Sequence, residues 1–370
     1  MTGPERCRLR DIGVGVGRLP AGPLNAITDV PGVRVGHCTV CWGGPESKCG
    51  SGSARTGVTA IFPHAGDLWH ERVVAGAFAA NGVGEVIGIS AIREWGLIET
   101  PVMLTNSQGA GAVYDATVRW MMERQPLAGI EDAVMPVVGE CDDGFLNDLR
   151  GMHVREEHVR AALDAAAVGP VAEGCVGAGT GMTCFDFKAG IGTSSRITTA
   201  HGRPWTVGVL ALTNFGVRHR LSVDGVPVGR EISDLMPAEN REGSCIVVLA
   251  TDAPLTARQA ERLAKRCSLG LAVTGSYCSD GSGEIMVAFT TAHRVPRMAP
   301  EPLTITSVSN DQMTDLFEAA VDATAESVLN ALTAATTTVG RDGNKAYALP
   351  LDRLVEVMRR YGHEARLPGA

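Results

Sequence analysis

An α/β fold in a single domain is predicted by three features of this 370-residue chain. Short apolar runs of strand length recur at residues 57–62, 86–92, 133–138, 206–212, 245–249 and 285–289. Between them lie stretches of helical length and composition, at 71–80, 109–123, 156–168, 256–271, 311–335 and 351–361. No long linker and no sequence repeat divides the chain, so its strands and helices belong to one core. Apolar content of 45% and charged content of 20% are those of a soluble globular protein able to bury that core.

The elements follow in order. Asp29 with Pro31-Gly32 gives turn signals before the alternating run Val33-Arg34-Val35, a hairpin-type entry into a sheet. Residues 48–56 are rich in Gly and Ser and read as an exposed loop before the strand 57–62. The small residues of 71–80 read as a helix ended by Asn81-Gly82. In the helix 109–123, Asp115 and Arg119 stand four apart, a spacing that supports an exposed face. The strand 133–138 runs into Gly139-Glu140-Cys141-Asp142-Asp143-Gly144. A solvated acidic turn accounts for Asp142 and Asp143, whereas Glu140 directly continues the apolar strand. EF-hand spacing is absent. Thr256 is placed to cap the amphipathic helix 256–271, and a long alanine-rich helix occupies 311–335.

Several function classes are excluded. A net charge of −8 with no basic stripe argues against nucleic acid as a partner. No window reaches transmembrane or signal-peptide length, which argues against a membrane and makes the cytoplasm the expected compartment, with the ten cysteines mostly reduced. Cys38 and Cys41 with His37 and Cys49 have partial zinc spacing, but no second pair follows, and scattered thiols are the simpler account. The glycine clusters 177–182 and 190–195 lack the full dinucleotide-binding spacing and read as sites of close chain packing.

The chemistry centres on residues 241–255. A charged lead-in ends in Gly243-Ser244, and the β-branched run Ile246-Val247-Val248 marks a buried strand. Ser244 is thus a hydroxyl where a loop enters a core strand, a placement that suits a nucleophile and equally an ordinary strand-start serine. Residues 220–243 mix charged residues with Asn and Pro without helical or strand period, and read as an exposed, mobile segment where backbone cleavage is tolerated.

In this setting several segments resemble the DmpA-type serine aminopeptidases, which include L-aminopeptidase/D-amidase/D-esterases and β-aminopeptidases. They are Ala54 to Ala60, Pro101 to Asn106, Gly139-Glu140 with Gly144 to Asp148, Gly177 to Met182, Gly190 to Arg196, Asn214-Phe215-Gly216, Gly243-Ser244 through Leu255, and Gly281 to Glu284. The resemblance spans most of the chain in the family's order. It implies a four-layer αββα sandwich similar to the Ntn-hydrolases over residues 1–370. It also implies self-cleavage between Gly243 and Ser244 into an α chain 1–243 and a β chain 244–370, and a homo-oligomer, commonly a tetramer of αβ units. By the same resemblance Ser244 is the nucleophile, Ser282 and Glu284 assist as a hydrogen-bond relay, Asn214 stabilises the oxyanion, and Glu140 binds the substrate's free amino group. Where some members carry a tyrosine just after the glutamate, this chain has Cys141-Asp142-Asp143, with Phe145 a little later.

Elementary chemistry supports an N-terminal serine. A hydroxyl is a weak nucleophile until a base takes its proton. No GxSxG elbow surrounds Ser244, and the nearest histidine, His219, lies in the lead-in. An α-amine titrates at about 7.7–8.0 and can serve as that base, whereas the amide nitrogen of an uncut chain cannot. The reaction requires no cofactor and no metal, and the expected substrates are short peptides, amides or esters with a free amino terminus. Two alternatives are an acyltransferase of the ornithine acetyltransferase type, against which Ser244 in place of threonine counts, and an unprocessed oligomeric binding protein with the same fold.

Overall fold

Two sheets stack face to face and are covered on their outer sides by helices. The structure, a computed structural model, describes residues 6–200, 202–238, 243–299 and 301–369. Its strands are β1 (Arg34–Trp42), β2 (Ala54–Phe62), β3 (Glu71–Gly82), β4 (Val86–Ile87), β5 (Leu97–Ile98), β6 (Val102–Asn106), β7 (Val137–Cys141) and β8 (Thr183–Cys184). There follow β9 (Phe187–Lys188), β10 (Ile191–Ala200), β11 (Arg203–Asn214), β12 (Ser244–Thr251), β13 (Gly283–Thr290), β14 (Val295–Pro296), β15 (Thr338–Val339) and β16 (Lys345–Ala346). The helices are α1 (Ile89–Trp95), α2 (Ala110–Arg124), α3 (Glu156–Asp164), α4 (Val228–Glu231), α5 (Ala257–Thr274), α6 (Met313–Ala334) and α7 (Leu351–Arg360).

The first sheet has the order β1-β2-β6-β7-β4, and the second the order β10-β11-β12-β13-β3-β14, with β5 on β3. Between them lies an apolar layer in which Ile61, Leu104 and Val137 of the first sheet meet Leu210, Ile246, Val248 and Val287 of the second. The outer face of the first sheet packs on α2 and α3 through Val58, Met103, Val113 and Val159. The outer face of the second packs on α5 and α6 through Val247, Met286, Leu263 and Val328, and α7 joins the same apolar cluster through Leu354. The architecture is the four-layer αββα sandwich. No helix among the described residues is long and apolar enough to cross a membrane.

Two glycines set how closely the layers approach. A Cβ on Gly192 of β10 would overlap the Ser327 carbonyl of α6, and one on Gly139 of β7 would stand 2.9 Å from Ile246 Cγ2 of the facing sheet. The cluster 177–181 forms a buried 3-10 turn. A Cβ on its Gly179 would press on the Gly190–Ile191 backbone, the close packing expected of these glycines.

Four expectations are corrected. Residues 71–80 are not a helix but most of β3, where Val73, Ala75 and Ala77 face the inter-sheet layer and Gly76 admits the backbone of α5. Burial on both faces favours small residues there, and overrides the helix tendency of alanine. The apolar run 86–92 divides at Gly88 (φ 91°) into β4 and the start of α1. The segment 220–243 is not uniformly exposed: Leu221, Val223, Val226, Val228 and Ile232 are buried and carry α4 into the core. The charged lead-in residues Arg241 and Glu242 lie outside the described residues. Finally, Asp142 is exposed but Asp143 is not; it is 1% exposed, so the acidic turn is only half solvated. The α5 cap is as expected, with Thr256 Oγ1 accepting from the Gln259 amide at 3.3 Å.

Candidate active site

Ser244 is the first residue of β12 and is 7% exposed with the chain continuous through Gly243. Its neighbours follow from the pairing register. Antiparallel β11 sets Asn214 opposite Ser244, and parallel β13 sets Gly283 on the other side. The row begun by Ser244 continues as Ile246, Val248 and Ala250 into the inter-sheet layer. Ser244 and Asn214, as register partners, therefore share the face turned toward the first sheet.

Asn214 is held at both ends of its amide. Its Oδ1 accepts from Thr183 N at 3.0 Å, and its Nδ2 donates to the Asp142 carbonyl at 2.8 Å. The second Nδ2 hydrogen remains available, and the nitrogen stands 2.8 Å from where a Cβ on Gly243 would project. The Gly243 carbonyl accepts from the Gly283 amide at 3.3 Å. A backbone donor thus faces the oxygen of the Gly243–Ser244 peptide, and a side-chain amide stands beside it.

Glu140 comes from the other sheet. It lies on β7, and its Oε1 accepts from the Glu85 amide at 2.8 Å, while its Oε2 accepts from the Ser107 hydroxyl. The loop from β3 to β4 joins the two groups. An ideal Cβ on Gly84 (φ 157°) would stand 3.4 Å from Glu140 Oε1 and 3.5 Å from Ser244 Oγ. Carboxylate and hydroxyl thus flank one point, which only glycine leaves open.

Ser282 and Glu284 also come together. Ser282 Oγ donates to Glu284 Oε1 at 2.5 Å, and both side chains are buried. They bracket Gly283, the register partner of Ser244, although Ser282 precedes the strand rather than belonging to it. Glu284 opens the row Met286 and Ala288, which faces the helices, so it stands on the opposite side of the sheet from the Ser244 hydroxyl. Burial pushes the Glu284 carboxyl above its ordinary value, against the Ser282 hydroxyl and the Cys278 thiol, which lower it. Its Oε2 has no regular partner among the described residues.

Five contributors were not legible as site residues: Ser107, the Glu85 amide, Gly84, the Gly283 amide and Cys278. Backbone donors carry no side-chain signal. Gly84 sits in Asn81-Gly82-Val83-Gly84, which reads as a turn. Ser107 had one available signal, its place directly after the apolar run ending in Asn106.

The chain is similar to known proteins over most of its length. Residues 25–346 match peptidase family S58. The chain is 42% identical to the beta-peptidyl aminopeptidase BapA of Sphingosinicella microcystinivorans over 374 aligned positions, covering 96% of this chain and 93% of that protein. A Burkholderia sp. beta-aminopeptidase structure superposes with a TM-score of 0.89 at 44% identity, covering 96% of this chain and 99% of that one. The L-aminopeptidase D-Ala-esterase/amidase of Ochrobactrum anthropi, described as a new variant of the Ntn-hydrolase fold, gives 0.91 at 42% identity, covering 97% and 99%. This chain belongs to peptidase family S58.

Proposed function

We propose that this chain cuts itself between Gly243 and Ser244 and then uses Ser244 as an N-terminal nucleophile to release amino-terminal residues from short peptides, amides or esters. It is a serine aminopeptidase, a hydrolase of the kind its relatives are named for. The observation that carries the reading is the placement of Ser244 at a strand start, between Asn214 and Gly283 and across Gly84 from Glu140.

In the precursor the Ser244 Oγ attacks the Gly243 carbonyl carbon. The C–N bond breaks as the C–O bond forms, and the released nitrogen takes the hydroxyl's proton. Water then hydrolyses the ester, leaving a Gly243 carboxylate and a free Ser244 amine. The Gly283 amide, already bonded to the Gly243 oxygen, stabilises the charge that develops there. Products are the α chain 1–243 and the β chain 244–370.

In the mature enzyme the Ser244 α-amine takes the hydroxyl proton as Oγ attacks the substrate carbonyl. Asn214 Nδ2 donates to the oxyanion, and Glu140 holds the substrate's ammonium. The Ser282–Glu284 pair acts from the helix side of the sheet, and so addresses Ser244 at its nitrogen. The acyl group passes to Ser244, the amine leaves with a proton, and water regenerates the hydroxyl. A free amino group at a fixed distance from Ser244 accounts for exopeptidase behaviour.

The chain is further read as cytoplasmic and, by the family resemblance, as a homo-oligomer, a tetramer of αβ units. Light scattering on the purified protein tests that point. The central test is denaturing mass measurement: two fragments meeting at Gly243/Ser244, and an intact, inactive Ser244→Ala variant, are expected. An uncut chain that still hydrolyses aminoacyl amides overturns the mechanism.

A further inference from the structure

A buried polar row that the proposed chemistry does not use runs from the turn after Glu140 to the start of β2 and the end of β6. It starts at Asp143, in the turn after β7. Asp143 Oδ1 accepts from Asn147 Nδ2 at 2.9 Å, and Asn147 Oδ1 in turn accepts from the Arg55 amide of β2 at 3.0 Å. Asp143 Oδ2 has no regular partner among the described residues, and the Thr56 hydroxyl faces the carboxyl. Thr56 Oγ1 accepts from Asn106 Nδ2 at 2.5 Å, and Asn106 Oδ1 accepts from the Gly109 amide at 2.7 Å. Asn106 ends β6, and the next residue, Ser107, donates to Glu140 Oε2.

Thr56, Asn106 and Asp143 are all buried, where an ill-satisfied carboxyl is unfavourable unless its neighbours need it. The row ties three places together: the start of β2, the corner between β6 and α2, and the turn after β7. The last two bear the donor to Glu140 and the strand end of Glu140 itself. The path from Asp143 to Glu140 thus runs through the Thr56 hydroxyl, Asn106 and the peptide bond to Ser107.

We propose that Asp143 is a positioning residue for recognition of the substrate's free amino group: through Thr56 and Asn106 it fixes the corner from which Ser107 holds Glu140. This rests on the assignment of Glu140 as the ammonium-binding carboxylate. Asp143 touches no reacting atom; it acts by holding the geometry in which the Glu140 oxygens face the incoming amine.

The test compares kcat/KM for an aminoacyl p-nitroanilide with that for the matching des-amino acyl p-nitroanilide, which cannot engage Glu140. Asp143→Ala is expected to lower the ratio of the two by about tenfold, the worth of one well-placed hydrogen bond. Asp143→Asn, which keeps an acceptor for Asn147 and a donor for Thr56, is expected to keep the ratio within about threefold of wild type. Thr56→Val, which breaks the row without touching a carboxylate, is expected to lower it in the same direction, and carries the test should Asp143→Ala fail to fold. An unchanged ratio in Asp143→Ala or Thr56→Val, whatever the fall in absolute rate, overturns the proposal. So does an equal loss in Asp143→Asn. A wild-type ratio near one would instead refute the role of Glu140, before any variant is made.

Discussion

Gly243 lies directly against Asn214: a Cβ at position 243 would overlap the Asn214 carbonyl oxygen and crowd its side-chain nitrogen. The same contact brings the amide of Asn214 beside the Gly243–Ser244 peptide. Gly243→Ala must therefore displace the peptide bond at which cleavage is proposed, at a strain of about 1–3 kcal/mol. The variant is expected to accumulate as uncut chain, read by mass under denaturing conditions after timed incubation. Cleavage at the wild-type rate would show that the close approach has no part in maturation.

Glu284→Gln keeps the shape of the Ser282 contact but removes the carboxylate. A proton-handling role predicts a fall in kcat of about 10²-fold with KM much less affected. Single-turnover kinetics on fully processed protein separate this from slowed maturation. A KM effect alone would place Glu284 in substrate binding.

Glu140 is met by a backbone donor on one oxygen and by Ser107 on the other. Charge-assisted hydrogen bonds are worth about 1.5–3 kcal/mol. Glu140→Gln should therefore raise KM for aminoacyl amides on the order of 10- to 100-fold. Inhibition by a simple aliphatic amine should weaken in parallel. Inhibition unchanged by the substitution would mean that the amine binds elsewhere.

Burial pushes the Asp143 carboxyl up to about 7, and the nearby charge of Asp142 adds to the effect, while Thr56 and Asn147 oppose it. The buried Lys188 ammonium is also within electrostatic reach. A raised value means that the folded protein keeps a proton the unfolded chain gives up. The contribution to stability is full below about pH 4 and is lost as pH rises through about 7. Denaturant unfolding of the uncut Ser244→Ala protein with and without Asp143→Asn across this window should show the Asp143 form losing stability relative to the Asn form as pH rises. The comparison cancels Glu173, which burial also pushes to about 7 despite its Arg8 partner. Parallel curves would mean that Asp143 does not titrate in this range.

Glu326 on α6 is wholly buried, and meets Arg196 at 2.6 Å, Arg10 at 2.7 Å and Asn25 at 2.5 Å. Burial works against its charge, but the two guanidinium groups outweigh it and hold the carboxyl below its ordinary value. Its stabilisation is present above about pH 4 and lost as pH falls through the depressed folded value. Glu326→Ala leaves Arg196 buried without its counter-charge, and should destabilise by about 3–5 kcal/mol in equilibrium unfolding of the uncut Ser244→Ala background. A loss below about 1 kcal/mol would imply that water enters to replace the carboxylate.

The sequence was most legible where local signals and tertiary setting agree. The β-branched run of β12 and the Thr256 cap of α5 needed no knowledge of neighbours. Strand β3 was misread because alanine and glycine at 71–80 serve a close contact with α5, a demand that nothing local announces. Asp143 resembled a solvated turn residue because its partners, Thr56 and Asn147, lie on other segments. The pairing of Glu140 with Ser244 depends on stacking two sheets and on an empty point at Gly84, so it became visible only with the fold.

The order of the second sheet has one more consequence. Strands β12 and β13 belong to the segment after Ser244, yet they sit between β11 and β3 of the segment before it, and Glu326 is held by arginines from that earlier segment. If the chain is cut before Ser244, as proposed, the two pieces stay interleaved and cannot separate without dismantling the sheet. Unfolding would release two molecules where one chain had folded, so recovery becomes a second-order encounter rather than a unimolecular search. The mature enzyme should therefore survive by the slowness of its unfolding, with heat inactivation irreversible and refolding yield rising with protein concentration, while the uncut Ser244→Ala chain recovers independently of concentration.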